Sequence, residues 1–352
     1  MRELEEARSR IAAPDEAVEA EAQRLLDAKT KPRRSLGRLE EIACRFAAAR
    51  GTPCPPLPEK AIVVMGADHG VATRGVSAYP QEVTRQMLLN FARGGAAISV
   101  LARHVGARVV VVDMGIVEPL PEARQIVSRR IGPGTRDLSA GPAMSREQAV
   151  AALEAGIAIA GGLAAEGVTL LGVGEMGIGN TTSASALLAA LTGAPPVEVT
   201  GRGTGVDDEA LARKVEAVAR GLEVNRPDAS DPLQCLATLG GFEIAGIAGA
   251  VLGAAAARVP VVIDGFIAST AALVAARLEP RAAGYLIASH RSIEVGHALV
   301  LRELAVEPLL DLRMRLGEGT GAALAMGLVD ASLRILHEMA TFASAGVSDS
   351  GA

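Results

Sequence analysis

In this chain of 352 residues, Leu316-Gly317-Glu318-Gly319-Thr320-Gly321 sets one carboxylate among glycines, just ahead of a long apolar segment. Glycines on both sides remove the Cβ atoms that shield neighbouring backbone, so a flat ligand can approach closely and meet a single acid or base. Glu318 is therefore the first candidate for catalysis. The plainer alternative is that Gly317 ends one helix and Glu318 sits in the first turn of the next, near its positive end.

Two further glycine-rich turns accompany it. Gly172-Val173-Gly174-Glu175-Met176-Gly177-Ile178-Gly179-Asn180-Thr181-Thr182 follows the apolar run Val168 to Leu171 and precedes a helical stretch, Ser183 to Leu188. The order strand, glycine loop, helix aims free backbone N–H groups and a helix dipole at an anion, most often a phosphate. The second turn, Gly201-Arg202-Gly203-Thr204-Gly205, is followed by Asp207, a helix-capping residue type, and then by Lys214. Two such turns, one with Glu175 embedded and one with a nearby lysine, predict a phosphate monoester held from two sides. Neither has the Gly-Lys-Ser/Thr ending of a Walker A loop or the dinucleotide fingerprint with its downstream ribose acid.

A polar segment supplies the other half of a site. Ser77-Ala78-Tyr79-Pro80-Gln81-Glu82-Val83-Thr84-Arg85-Gln86-Met87 reads as a loop entering a helix, with Glu82 and Gln86 on one face. A glutamine amide both donates and accepts, which suits the edge of a heterocycle, and Tyr79 and Met87 suit its flat face. Exposure on the surface is the plainer reading of Gln86.

Composition narrows the function classes. The 39 glycines, the absence of tryptophan, 2% aromatic content and a net charge of −5 all point away from nucleic-acid recognition. The most apolar run, Ile244 to Ala257, has 14 residues and falls short of a bilayer span, so no membrane partner is expected. Acids at Glu3, Glu5 and Glu6 argue against a signal peptide and for the cytoplasm. Cys44, Cys54 and Cys235 have no Cys-x-x-Cys spacing, and His290 and His297 stand without a second pair, so neither a disulfide framework nor a metal centre is expected.

Positioning falls to an α/β fold. The first fifty residues read as two charged amphipathic helices broken around Lys31-Pro32, and the proline-rich Gly51 to Pro58 reads as a stiff connector. Apolar runs then alternate with helical ones: Ala61 to Met65, Arg108 to Val112, Val168 to Leu171, Val259 to Ile263 and Gly284 to Ala288. Buried strands separated by helices predict a mostly parallel, Rossmann-like sheet covered on both faces, with ligands beyond the carboxyl ends of the strands. Asp68-His69, Glu175, Asp264-Gly265 and His290 to Ser292 follow four of those runs. The long stretch from Met114 to Met144 reads as a flap or a partner contact. Residues 59–304 would form a large α/β domain, and residues 1–58 with about 305–352 a smaller helical one.

Together these motifs resemble the nicotinate-nucleotide:dimethylbenzimidazole phosphoribosyltransferase family. The resemblance runs from Lys31 to Gly37 through Gly66 to Val71, Ser77 to Met87, Gly174 to Thr182, Gly201 to Asp208, Asp264 to Phe266 and Leu316 to Gly321. It implies transfer of the phosphoribosyl group of nicotinate mononucleotide to 5,6-dimethylbenzimidazole, giving α-ribazole 5′-phosphate and nicotinate. It also implies a homodimer and no cofactor. Glu318 matches the family's general base and Glu175 a second acid near the ribose. Gly177, Ile178, Gly179, Asn180, Thr181, Gly201, Arg202, Gly203 and Lys214 match the phosphate cradle. Ser77, Tyr79, Gln86 and Met87 fall in the segment lining the base pocket, and Asp264, Gly265, Ser292, Gly319 and Gly321 lie near the nicotinate and ribose. On the residues alone two other classes remain: a transferase or phosphorylase using another nucleophile, and a nucleotide-binding protein without catalysis.

Overall fold

A computed structural model of the chain describes residues 1–120, 123–203 and 205–348. The N-terminal third carries α1 (Arg2–Arg10), α2 (Glu16–Asp27), α3 (Arg38–Arg50), β1 (Lys60–Ala67), α4 (Glu82–Ala92), α5 (Ala97–His104), β2 (Arg108–Gly115) and β3 (Ile126–Ser128). Next come α6 (Arg146–Ala165), β4 (Leu170–Met176), α7 (Asn180–Thr192), α8 (Pro196–Val199), α9 (Asp208–Asn225), α10 (Pro232–Leu239) and α11 (Phe242–Ala256). The chain closes with β5 (Val261–Ile263), α12 (Phe266–Leu278), β6 (Leu286–Ala288), α13 (His297–Glu303), α14 (Thr320–Glu338) and α15 (Phe342–Ala345).

The six strands are all parallel, in the order β3-β2-β1-β4-β5-β6. This is the doubly wound Rossmann-like sheet that the apolar runs predict, and its strand order reverses between β1 and β4. Diverging crossovers there leave a crevice outside the carboxyl ends of the two strands. Along β1 the side chains alternate between two cores, Ala61, Val63 and Met65 on one face and Ile62 and Val64 on the other. The first face is covered chiefly by α6, α10, α11 and α12, the second by α3, α4, α5 and α14. Helices α6 and α11 cross very closely, because Gly156 and Gly249 let each backbone touch the other.

Three local readings change. The first fifty residues form three helices, not two, because Pro14 interrupts the pattern and Asp15 starts α2 by accepting from the Ala17 and Val18 amides. The stretch 114–144, of which 121–122 lie outside the described residues, contains the edge strand β3 and packs Leu138, Ala143 and Met144 into the core. Strand β4 begins at Leu170 and continues through Gly172, Gly174 and Glu175 to Met176, so only the later part of that glycine run is a turn. Ser145 and Gln148 do form the expected capping box of α6.

Candidate active site

At the carboxyl ends of β4, β5 and β6 lies a cleft of about 620 Å³. Its walls are Glu175 to Ile178 with Asn180 and Thr181 after β4, Gly265 to Ile267 after β5, and His290, Ser292 and Glu294 after β6. Met314 to Gly317 and Thr320 close it from the α14 side, Ala97 and Leu101 from α5, and Tyr79 stands at its mouth.

Glu318 is held against this wall by an unusual backbone. Gly317, Glu318 and Gly319 have φ of 80°, 64° and 89°, so a non-glycine residue occupies the left-handed region between two glycines. The turn lies directly on β4: a side chain at Gly174 would collide with the Glu318 carbonyl and the Gly319 nitrogen. Gly174 is thus a close-approach glycine rather than an anion-binding one. The turn is anchored from the other side by Asp264, which accepts from the amides of Gly319 (3.0 Å), Gly321 (2.7 Å) and Ala322 (3.1 Å). These are first-turn donors of α14, so a buried carboxylate caps that helix and fixes the position of Glu318.

The acids here are strongly perturbed. Burial raises the pKa of Glu318, against the Ile98 amide at the start of α5, and its Oε2 has no hydrogen-bond partner. Burial, with added repulsion from Asp264, Glu243 and Glu318, pushes Glu175 up to about 8, while the Asn180 side-chain amide, bonded to its Oε2, pulls the other way. Burial likewise lifts Asp264 to about 7 despite its amide donors. A Cβ at Gly317 would strike Glu175 Oε1, so the two glutamates are neighbours across that glycine.

Next to Thr181 and Gly203, which line the cleft, the buried Lys214 Nζ donates to Thr181 Oγ1 at 2.9 Å, and a Cβ at Gly203 would lie 2.8 Å from it. One ammonium therefore joins the first turn of α7 to the turn before α9. Burial lowers its pKa to about 8, with the charge of Glu294 opposing. Arg315 Nη1 reaches the Gly203 carbonyl at 2.8 Å and adds a second cation. Two cations beside the amino end of a helix are an arrangement suited to an anion.

The comparisons agree over nearly the full chain. A family model described as phosphoribosyltransferase matches residues 11–347. A nicotinate-nucleotide:dimethylbenzimidazole phosphoribosyltransferase of Roseiflexus sp. (strain RS-1) is 57% identical over 345 residues, covering 98% of each chain. The chain belongs to the nicotinate-nucleotide:dimethylbenzimidazole phosphoribosyltransferase family. A member from Geobacter metallireducens is 56% identical over 344 residues, again covering 98% of each chain. The crystal structure of CobT from Thermus thermophilus superposes with a TM-score of 0.91 at 52% identity, covering 94% of this chain and 99% of that one. The protein is thus an enzyme, a phosphoribosyltransferase.

Within this transferase, Glu175, Gly177, Ile178, Asn180, Thr181, Gly203, Gly265, Ser292 and Tyr79 all line the cleft. Glu318, Gly319, Gly321 and Asp264 lie just behind its wall, and Gly179 starts α7 with φ of 97°. Gly201 packs on Glu294, Arg202 is paired with Asp208 and the Val206 carbonyl, and Thr204 lies outside the described residues. Ser77 Oγ accepts from the Tyr79 amide at 3.2 Å and shapes the loop at the mouth. Gln86 is exposed on α4 and Met87 packs against the core, and neither lines the cleft. The buried Thr84 of the same helix supports the turn after β4, its Oγ1 accepting from the Ile178 amide at 3.1 Å.

Sequence reasoning missed Glu294 and Arg315, whose only signal is spatial. It also missed the buried pair of His69 Nε2 and Glu243 Oε1, 2.6 Å apart beneath Gly177 and Gly241. His290 and His297 approach to 6.2 Å between ring centres. His297 Nδ1 accepts from the Ser292 amide at 2.8 Å, and burial drives its pKa down to about 3, so it is a neutral support for the Ser292 loop. Among the described residues no cluster of three or more His, Cys, Asp or Glu is placed to hold a metal ion.

Proposed function

We propose that the cleft transfers the 5-phosphoribosyl group of nicotinate mononucleotide to 5,6-dimethylbenzimidazole, giving α-ribazole 5′-phosphate and nicotinate, with Glu318 as general base. The observation that carries this reading is Glu318 itself. A buried carboxylate with an unpartnered oxygen, on a left-handed backbone braced by Gly174 and Asp264, is costly unless it serves a reaction. In the proposed step one ring nitrogen of the benzimidazole attacks C1′ of the ribose. The C1′–N bond to nicotinate breaks, and its electron pair returns to the pyridinium ring. The proton on the other benzimidazole nitrogen passes to Glu318. Attack opposite the departing nicotinate turns a β-nucleotide into an α-product.

Other residues take supporting roles in this proposal. Lys214, Arg315 and the turns before α7 and α9 hold the 5′-phosphate. Ala97, Leu101 and Leu316 give the base an apolar wall close to Glu318, with Tyr79 at its entrance and Ser77 holding the Tyr79 loop. Glu175, raised to about 8, carries its proton at pH 7 and acts beside the ribose as a hydrogen-bonding acid rather than as the base. The homodimer implied by the family resemblance, and the cytoplasmic location argued from the acids near the N-terminus, belong to the same proposal. The test is to mix the protein with nicotinate mononucleotide and 5,6-dimethylbenzimidazole and to follow both products by mass spectrometry. Both in equal amounts support the transfer, whereas nicotinate alone means hydrolysis and replaces it.

A further inference from the structure

Glu294 has no part in the chemistry above, yet it stands inside the anion site. It lines the cleft, is 9% exposed, and its Oε2 has no hydrogen-bond partner. A buried carboxylate oxygen without a partner, on a side chain that lines a cleft, points to a partner supplied from outside. Its direction is defined: a Cβ placed on Gly201 would collide with that oxygen, and the Gly203 amide faces the same carboxylate. The turn it faces is the one that Lys214 and Arg315 reach from the other side.

A carboxylate here does two different things in the free and the occupied site. In the free site burial raises its pKa above the ordinary carboxylate value, while Lys214, Arg315 and the Gly203 amide pull toward the ionised form. When a phosphomonoester enters between those cations, two further negative charges arrive beside it. Like charges in a buried site do not both persist, so one group takes up a proton. We propose that Glu294 is part of the phosphate site as a proton-linked donor, ionised in the free enzyme, protonated from solvent on binding, and hydrogen-bonded through its O–H to a phosphate oxygen. This rests on the nucleotide reading of the cleft.

The other charged groups facing Glu294 are accounted for. Arg202, on the turn opposite, is engaged by Asp208 and the Val206 carbonyl. His297, at the start of α13, is held neutral between Ser269 and the Ser292 amide. Lys214, with its pKa near 8, remains largely protonated at pH 7 in the wild type, and because the Glu294 charge helps to keep it so, the Glu294→Asp variant, which retains that charge, is the control for its own titration. The second ionisation of the phosphate itself, at a pKa of about 6, is common to every variant.

The test is isothermal titration calorimetry of nicotinate mononucleotide binding to the full chain at pH 7, in two buffers of different ionisation enthalpy. The wild type takes up about one proton more than Glu294→Gln. Because uptake on binding makes affinity fall with rising pH, between pH 6.5 and 7.5 the wild-type Kd rises about tenfold more than that of E294Q. Glu294→Asp, which keeps a carboxyl group, restores the uptake where a change in folding would not. Equal proton uptake in wild type and E294Q, or a Kd ratio independent of pH, overturns the assignment. A wild type that binds neither nicotinate mononucleotide nor inorganic phosphate overturns the nucleotide reading, and this inference with it.

Discussion

Glu175→Gln is expected to stabilise the protein while impairing it. Below its ordinary pKa of 4.5 Glu175 is neutral in both folded and unfolded chains. Above that value the unfolded chain ionises it freely, while the folded protein resists until about 8, because burial and the charges of Asp264, Glu243 and Glu318 disfavour the anion. A folded pKa raised in this way contributes stability that is complete below pH 4.5 and is lost progressively as pH rises through about 8. At about 1.4 kcal/mol per pH unit the gap sets a ceiling of roughly 5 kcal/mol. Coupling among the four acids spreads part of this over its neighbours, so about 2–4 kcal/mol is expected at Glu175. Glutamine has the same shape, and its amide oxygen still accepts from Asn180, so the substitution removes the charge without opening a cavity. Denaturant unfolding of wild type and E175Q at pH 5, 7 and 9 measures the effect. The advantage of E175Q is expected to be small at pH 5, to grow through pH 7 and to level off above pH 8. A difference that is flat across pH, or that favours the wild type at pH 9, would refute the electrostatic account.

Lys214→Ala is expected to raise the KM for the nucleotide about 10- to 100-fold with a smaller effect on kcat, since it removes a charge-assisted contact to a group that does not react; steady-state kinetics with an unchanged KM would withdraw the phosphate assignment. Gly174→Ala places a methyl group against the Glu318 and Gly319 backbone, so chemical denaturation should show a loss of about 2–4 kcal/mol. Wild-type stability there would mean that β4 and the turn do not touch. Asp264→Asn replaces an acceptor of the Gly319, Gly321 and Ala322 amides with a group that also donates, and should cost about 2–4 kcal/mol while lowering kcat more than nucleotide affinity. Calorimetric affinity falling as far as kcat would place Asp264 in ligand binding instead.

The sheet was legible because parallel strands buried on both faces are continuous apolar runs, as at Ala61 to Met65 and Arg108 to Val112. Strand β3 was not, because three residues at a sheet edge carry too little pattern. Gly172 and Gly174 misled by type. In sequence they look like turn residues, whereas in the fold they clear space on β4 for Met326 and for the Glu318 turn. The candidate site was legible wherever its groups share a short motif, as with Glu318 and the Gly177 to Thr181 turn. Glu294 and Arg315 were hidden because they lie far along the chain from Gly203 and meet it only when β6 and the segment before α14 fold over the same cleft. At Gln86 the plainer of the two readings matches the fold, since helical phase turns it to solvent and buries Thr84 on the inner face of α4.

The proposed role of Glu318 is tested most directly by Glu318→Gln, with product formation and nucleotide affinity measured on the same preparation. The amide preserves the shape of the turn and cannot accept the proton, so kcat is expected to fall by about 10²- to 10⁴-fold while the Kd for nicotinate mononucleotide changes little. Turnover close to that of the wild type, or a loss of nucleotide binding as large as the loss of turnover, would contradict the assignment of Glu318 as the base.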